Sequence, residues 1–162
     1  GALPDVGSHC IDTLRFLMGE VTEVQGLTAS AQFASAADDT TQAILRFENG
    51  ALGIVDCSFA IPHRQCPLEI YGSEGTLMIE RGLGPFTDPQ VRLVDAFGVH
   101  EIPIQWVNNY ALEFDVVSQA FAEGCPPETD GWNGLRNTEI MLAIYRSAER
   151  GVPVAPPARP SP

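Results

Sequence analysis

Apolar residues recur at helical spacing near both ends of the chain and at roughly alternate positions between. Val6, Cys10, Leu14 and Leu17 fall at i, i+4, i+8 and i+11, one stripe of a helix. Pro4 suits a first helical turn and Gly19 a C-terminal stop, so the spacing predicts a helix over 4–18. Residues 21–32 are rich in β-branched side chains with some alternation. Residues 41–47 and 51–59 then flank Asn49-Gly50, a strong two-residue hairpin signal. Residues 68–71 and 76–80 flank Gly72-Ser73-Glu74-Gly75, and 91–95 and 99–104 flank Ala96-Phe97-Gly98, predicting two further hairpins. Helical spacing returns with Phe114, Val117 and Phe121 in 110–123, closed by Gly124. It continues with Met141, Tyr145 and Ala148 in 133–150, closed by Gly151. A helix, a run of hairpins and two more helices predict an α+β fold, mainly antiparallel sheet with helices on one face.

No internal repeat or linker divides the 162 residues. The expected organisation is one domain over 1–154 and a Pro-rich tail over 155–162. Five prolines follow Val152, which predicts an extended or disordered end. A 44% hydrophobic content is that of a globular chain. No apolar run approaches the roughly 20 residues of a membrane span. The N-terminus has no basic segment of the signal-peptide kind, so the expected location is cytoplasmic.

A net charge of −12 would be repelled by a nucleic-acid backbone, so no nucleic-acid partner is expected. All nine basic residues are arginine, which excludes a Schiff-base or P-loop lysine within these residues. The cysteines, Cys10, Cys57, Cys66 and Cys125, form no C-x-x-C pair and are expected to be reduced. His63 and Cys66 are three apart, but two ligands do not make a metal site, and none is expected.

Asp5, His9 and Asp12 carry the most informative chemistry. At i, i+4 and i+7 they share one face of the first predicted helix. A histidine between carboxylates is held in one tautomer and passes a proton to or from a substrate hydroxyl, while a carboxylate orients a sugar hydroxyl. The same spacing also describes an ordinary solvated helix face. Arg64, beside His63 between two predicted strands, has the chemistry to grip a carboxylate or phosphate, or belongs to a polar loop. Trp106 and Tyr110 offer stacking surfaces, and Asn108 or Asn109 an N-cap. Trp132 and Tyr145 read as packing residues. Asp38-Asp39 is acidic without the further ligands a metal shell needs.

Residues 2–12, with Asp5, Gly7, His9 and Asp12, resemble the D-x-G-x-H-x-x-D helix of the glucose–fructose oxidoreductase/inositol dehydrogenase (Gfo/Idh/MocA) family. Asp38-Asp39-Thr40 leading to residues 44–51, then Glu69-Ile70-Tyr71-Gly72 with Gly75, then Tyr145-Arg146-Ser147-Ala148 with Gly151, are similar to later family segments in the same order. The resemblance implies a C-terminal substrate-binding and oligomerisation domain of an oxidoreductase that uses NAD or NADP on a secondary hydroxyl of a sugar, inositol or related polyol. His9 and Asp5 are then the catalytic positions, with His9 moving the proton and Asp12 supporting the helix or orienting His9. His63 and Arg64 fall where the family contacts substrate. The family's lysine and glycine-rich cofactor turn belong to a Rossmann half. Neither is present here, so the chain is expected to be a fragment that binds no cofactor and is inactive alone. The alternatives are a non-catalytic binding or oligomerisation module of the same fold, and a relative acting by elimination or hydrolysis. Ile44, Leu52, Ile54, Ile70 and Leu77 cannot all face the helices, which predicts a homodimer or larger homo-oligomer through the sheet face.

Overall fold

The Asn49-Gly50 signal is realised as a hairpin of β2 (Thr40–Phe47) and β3 (Leu52–Ser58). Gly50 takes a φ of 86°, open to glycine at little steric cost, and Asn49 Oδ1 accepts from the Ala51 N–H at 3.0 Å. β1 (Val21–Ala29) pairs antiparallel with β2, giving the order β1-β2-β3. The computed structural model describes residues 1–62, 67–82, 88–127 and 129–158. Contacts divide the chain into two units, Gly1–Pro62 with Thr129–Pro162, and His63–Glu128.

In the first unit the period of two is strict. Thr41, Ala43, Leu45 and Phe47 of β2 are buried, while Gln42, Ile44 and Arg46 are exposed. The buried face is covered by α3 (Gly131–Arg150) and by α1 (Ser8–Met18), which continues from a π-helical turn, Leu3–Gly7. Asp130 caps α3 through the Asn133 N–H, and Gly151 closes it at a φ of 67°. The centres of both helical stripes lie beside the expected ones. In α3 the buried line is Ile140, Ala143, Ile144 and Ser147, flanked by half-buried Met141 and Tyr145. In the first helix Leu3, Gly7 and Ile11 are buried, flanked by Val6, Cys10 and Leu14. The wide first turn changes the phase of the α1 residues that follow it.

Close approach fixes α3 against β1. A methyl on Gly26 would meet Ile144 Cγ2 at 2.7 Å. Ser147 Oγ accepts from the Gly26 N–H at 3.1 Å and donates to the Val152 carbonyl at 2.7 Å. Beyond the helix, Val154 exchanges two 2.9 Å backbone hydrogen bonds with Val24.

The second unit is an antiparallel meander, β4 (Leu68–Gly72), β5 (Gly75–Glu80), β6 (Gln90–Asp95) and β7 (Gly98–Ile102), followed by α2 (Asn109–Glu123). Asn108 Oδ1 accepts from the Ala111 N–H, and Gly124 ends α2 at a φ of 68°. The fold is thus α+β with antiparallel strands, as expected, but the strands form two sheets. Pro62 and Pro67, between β3 and β4, have no N–H to extend a ladder. The expected stripe of α2 is uncovered within this unit, Phe114 and Phe121 being 72% and 80% exposed. Trp132 of α3, read as a packing residue, is exposed.

Candidate functional site

The helix bearing Asp5 and His9 is anchored at its start by Asp38. This buried carboxylate accepts from the Leu3 N–H at 2.9 Å, from Thr41 Oγ1 at 2.9 Å and from the Tyr145 hydroxyl at 2.5 Å. The Asp38 carbonyl also accepts from the Ala2 N–H at 2.9 Å. Burial pushes the Asp38 carboxyl up, but the hydrogen bonds from Tyr145, Leu3 and Thr41 outweigh it and hold the group below its ordinary range. Burial and the facing carboxylate push the Tyr145 phenol up. Asp39 turns the other way and accepts from the Gln32 and Phe33 N–H groups at 2.7 and 3.1 Å, which lower its pKa and tie down the loop after β1. The acidic pair therefore serves two backbone segments, an anion at a helix start and an anchor for a loop.

Asp5 and His9 lie one turn apart and both are exposed. Val6, Cys10 and Leu14, on the adjoining face, pack against the core. Asp12 is placed differently. Its Oδ1 accepts from Asn133 Nδ2 at 2.8 Å and lies 3.9 Å from Arg15 Nη1. Among the described residues no hydrogen bond joins the His9 ring to Asp5 or Asp12; the His9 carbonyl accepts from Thr13 Oγ1 at 2.8 Å. The structure thus brings Asp5 and His9 to one open surface and directs Asp12 toward α3. His63 and Arg64 lie outside the described residues. Among the described residues no cluster of three histidine, cysteine or acidic groups is arranged to hold a metal ion, and no helix is long and apolar enough to cross a membrane.

A polar network unannounced in the sequence joins α1, α3 and the start of β1. Arg15 Nη1 donates to Asn133 Oδ1 at 2.7 Å, and Arg15 Nη2 to Glu20 Oε1 at 2.7 Å. Arg136 Nε donates to Glu20 Oε2 at 2.7 Å, and its Nη2 to the Val21 carbonyl at 3.0 Å. Burial raises Glu20, yet the two guanidiniums outweigh it and hold its carboxyl below the ordinary value. Asn137 Nδ2 donates to the Ser8 carbonyl at 3.1 Å. The only sequence signals were the i, i+4 spacing of Asn133 and Asn137 and the i, i+3 spacing of Asp12 and Arg15. Arg15 and Asn133 are 118 residues apart, beyond the reach of any local pattern.

The segment that holds this helix and the β1–β3 sheet matches a known domain: residues 1–78 fit the model of the GFO/IDH/MocA C-terminal domain. These residues belong to that domain family. Family relatives include a D-apiose dehydrogenase of Paraburkholderia graminis, 28% identical across 91% of this chain and 42% of the enzyme. A myo-inositol 2-dehydrogenase of Thermotoga maritima is 27% identical across 92% of this chain and 47% of the enzyme. Among solved structures, the WlbA dehydrogenase of Bordetella pertussis, in complex with NADH and UDP-GlcNAcA, superposes with a TM-score of 0.74 at 28% identity, covering 97% of this chain and 45% of that one. The chain therefore spans less than half the length of these relatives.

Proposed function

We propose that this chain is the substrate-binding and self-association part of an NAD(P)-dependent oxidoreductase acting on a secondary hydroxyl of a sugar, inositol or related polyol. His9 is the proton-transfer group and Asp5 the carboxylate that orients the hydroxyl. The observation that carries this reading is the exposed Asp5–His9 pair on a helix whose opposite face is locked into the core. An imidazole open to substrate and mounted on a packed helix has the access and the fixed position that general acid–base work needs. The family relatives that oxidise apiose and myo-inositol support the substrate class, and the NADH bound to WlbA supports the cofactor.

A nicotinamide, held by residues outside this chain, would accept the hydride. The described residues supply the other half of the oxidation: Asp5 accepts a hydrogen bond from the substrate, and His9 removes the hydroxyl proton as the carbonyl forms. His63 and Arg64 are proposed as further substrate contacts. With no lysine and no G-x-G-x-x-G turn, the chain alone is expected to show neither turnover nor saturable NADH or NADPH binding at micromolar concentration.

The outer face of β1–β3 supports self-association. Leu27, Ile44, Leu52 and Ile54 are 71%, 50%, 61% and 74% exposed, and Ile44 is paired directly with Ile54. Such a face is expected to meet its copy in a homodimer.

The deciding experiment uses the complete enzyme containing these residues. His9→Ala should lower kcat by about 10²-fold or more with cofactor affinity little changed. Near-normal turnover would reduce Asp5 and His9 to a solvated helix face and favour a non-catalytic module. Sedimentation of the same preparation as a monomer at tens of micromolar would remove the self-association role.

A further inference from the structure

We infer that Asn133 is a positioning residue for the proposed proton transfer, setting the rotation and register of the helix that carries Asp5 and His9. The inference rests on the reading of His9 given above.

Three residues of α1 at i, i+4 and i+7, namely Ser8, Asp12 and Arg15, face α3. Each is held by one of two amides a single turn apart, Asn133 and Asn137. Asn137 Nδ2 donates to the Ser8 carbonyl at 3.1 Å, Asn133 Nδ2 to Asp12 Oδ1 at 2.8 Å, and Asn133 Oδ1 accepts from Arg15 Nη1 at 2.7 Å. Asn133 is itself fixed, because its N–H donates to the capping Asp130 Oδ1 at 2.9 Å. Arg15 continues the chain to Glu20, and Glu20 to Arg136, whose other nitrogens hold Glu139 at 3.1 Å and the Val21 carbonyl at 3.0 Å.

The chemistry of this joint is specific to a carboxamide. Asn133 must donate to a carboxylate and accept from a guanidinium at the same time, and only one orientation of an amide does both. An aspartate there loses the donor and faces the Asp12 carboxylate; an aliphatic residue loses both bonds. Apolar packing of Leu3, Ile11 and Leu14 is non-directional and tolerates small rotations of the helix. Directional bonds at Ser8, Asp12 and Arg15 do not. A proton-transfer group must be held within roughly half an ångström of its productive position, and a 1 Å error costs about 10²-fold. His9 is next in sequence to one of the gripped residues and three before another, so its direction follows from the grip. On this account Asp12 acts through the helix rather than on the imidazole.

The test compares variants of the complete enzyme by kcat, KM, pH profile and thermal midpoint. Asn133→Ala should lower kcat by about 10- to 100-fold, with KM for the polyol changed less than about threefold and cofactor affinity unchanged. Asn133→Asp, which keeps the shape, should do the same. Combining it with Asp12→Asn restores a donor and an acceptor with their positions exchanged, and should return kcat to within about threefold of the parent. Ser147→Ala, which removes bonds at the far end of α3, should lower the midpoint without a comparable loss of kcat.

If the kcat loss in Asn133→Ala merely matches that in Ser147→Ala at equal loss of midpoint, Asn133 is structural and the inference fails. If the exchanged pair stays impaired and its pH profile shifts, the Asp12 charge acts on His9 directly, which also overturns it. His9→Ala separates the two levels. An impaired His9→Ala enzyme with normal Asn133 variants rejects only the positioning role, whereas a normal His9→Ala enzyme rejects the functional reading beneath it.

Discussion

In β2 every second residue from Thr41 to Phe47 is buried, and a helix on each flank completes the layer above. In the other sheet the alternation is weak or absent: β4 alternates only between half-buried and exposed, β5 is half-buried at all six positions and β7 is exposed at all five. Both sheets are antiparallel ladders, with short turns of suitable residues at Asn49-Gly50, Ser73-Glu74 and Ala96-Phe97. The contrast separates two requirements that sequence reading tends to merge. A hairpin needs turn chemistry and β propensity, both local. A core needs a second layer whose apolar face meets the first. α3 supplies that layer to β1, approaching so closely that Gly26 has no room for a side chain. Within the second unit α2 leaves Phe114 and Phe121 exposed. The proposed chemistry stands on the unit with the layered core, where a helix can be held still.

Paired truncations should give the largest measure of this difference. Leu45→Ala, at a fully buried position of β2, should cost about 2–5 kcal/mol in urea denaturation, whereas Val99→Ala, 62% exposed in β7, should stay within about 0.5 kcal/mol. Equal costs would mean that the second sheet has a core of its own. A pair of glycines sharpens the point within one unit. Gly26→Ala should destabilise by about 1–3 kcal/mol by driving a methyl into Ile144. Gly134→Ala, on α3 with no atom within 4 Å of the new carbon, should stabilise by about 0.5–1 kcal/mol. If both changes had the same sign, the close approach of α3 to β1 would be mistaken.

The last effect vanishes at neutral pH and grows with acidity. Glu20 and Asp38 have folded pKa values below their ordinary 4.5 and 3.8. Their stabilisation is complete above those ordinary values and is lost as pH falls through the depressed ones. The thermal midpoint should therefore hold steady down to about pH 5 and then drop. Glu20→Gln should make that acid decline shallower. An unchanged decline in the variant would show that the Arg15–Glu20–Arg136 network is not what acid releases.

Much of the architecture was written in local pattern. Asn49-Gly50, the Asn108 cap and the terminal glycines Gly124 and Gly151 mark their elements because turns and caps depend on a few adjacent residues. The periodicity of the first helix was legible too, which brought Asp5 and His9 into view as neighbours on one face. The sequence by itself thus determined the antiparallel α+β class, the order of the elements and the resemblance to a known domain family, which residues 1–78 match.

What only the tertiary structure decided was partnership. Asp12 looked equally suited to orient His9 or to brace the helix, because spacing along one helix says nothing of a second helix beside it. Asn133 lies 121 residues away and takes that carboxylate. Asp38 showed in sequence only as half of an acidic pair without the ligands of a metal shell; it is buried and accepts from the Tyr145 hydroxyl, 107 residues on, holding the start of the helix. The phase of both helical stripes was likewise set by packing, and in the first helix a π turn at Leu3–Gly7 also shifts the face that later residues present. Hydrogen bonds between side chains depend on distances of a few tenths of an ångström, and chain folding alone brings such distant residues that close.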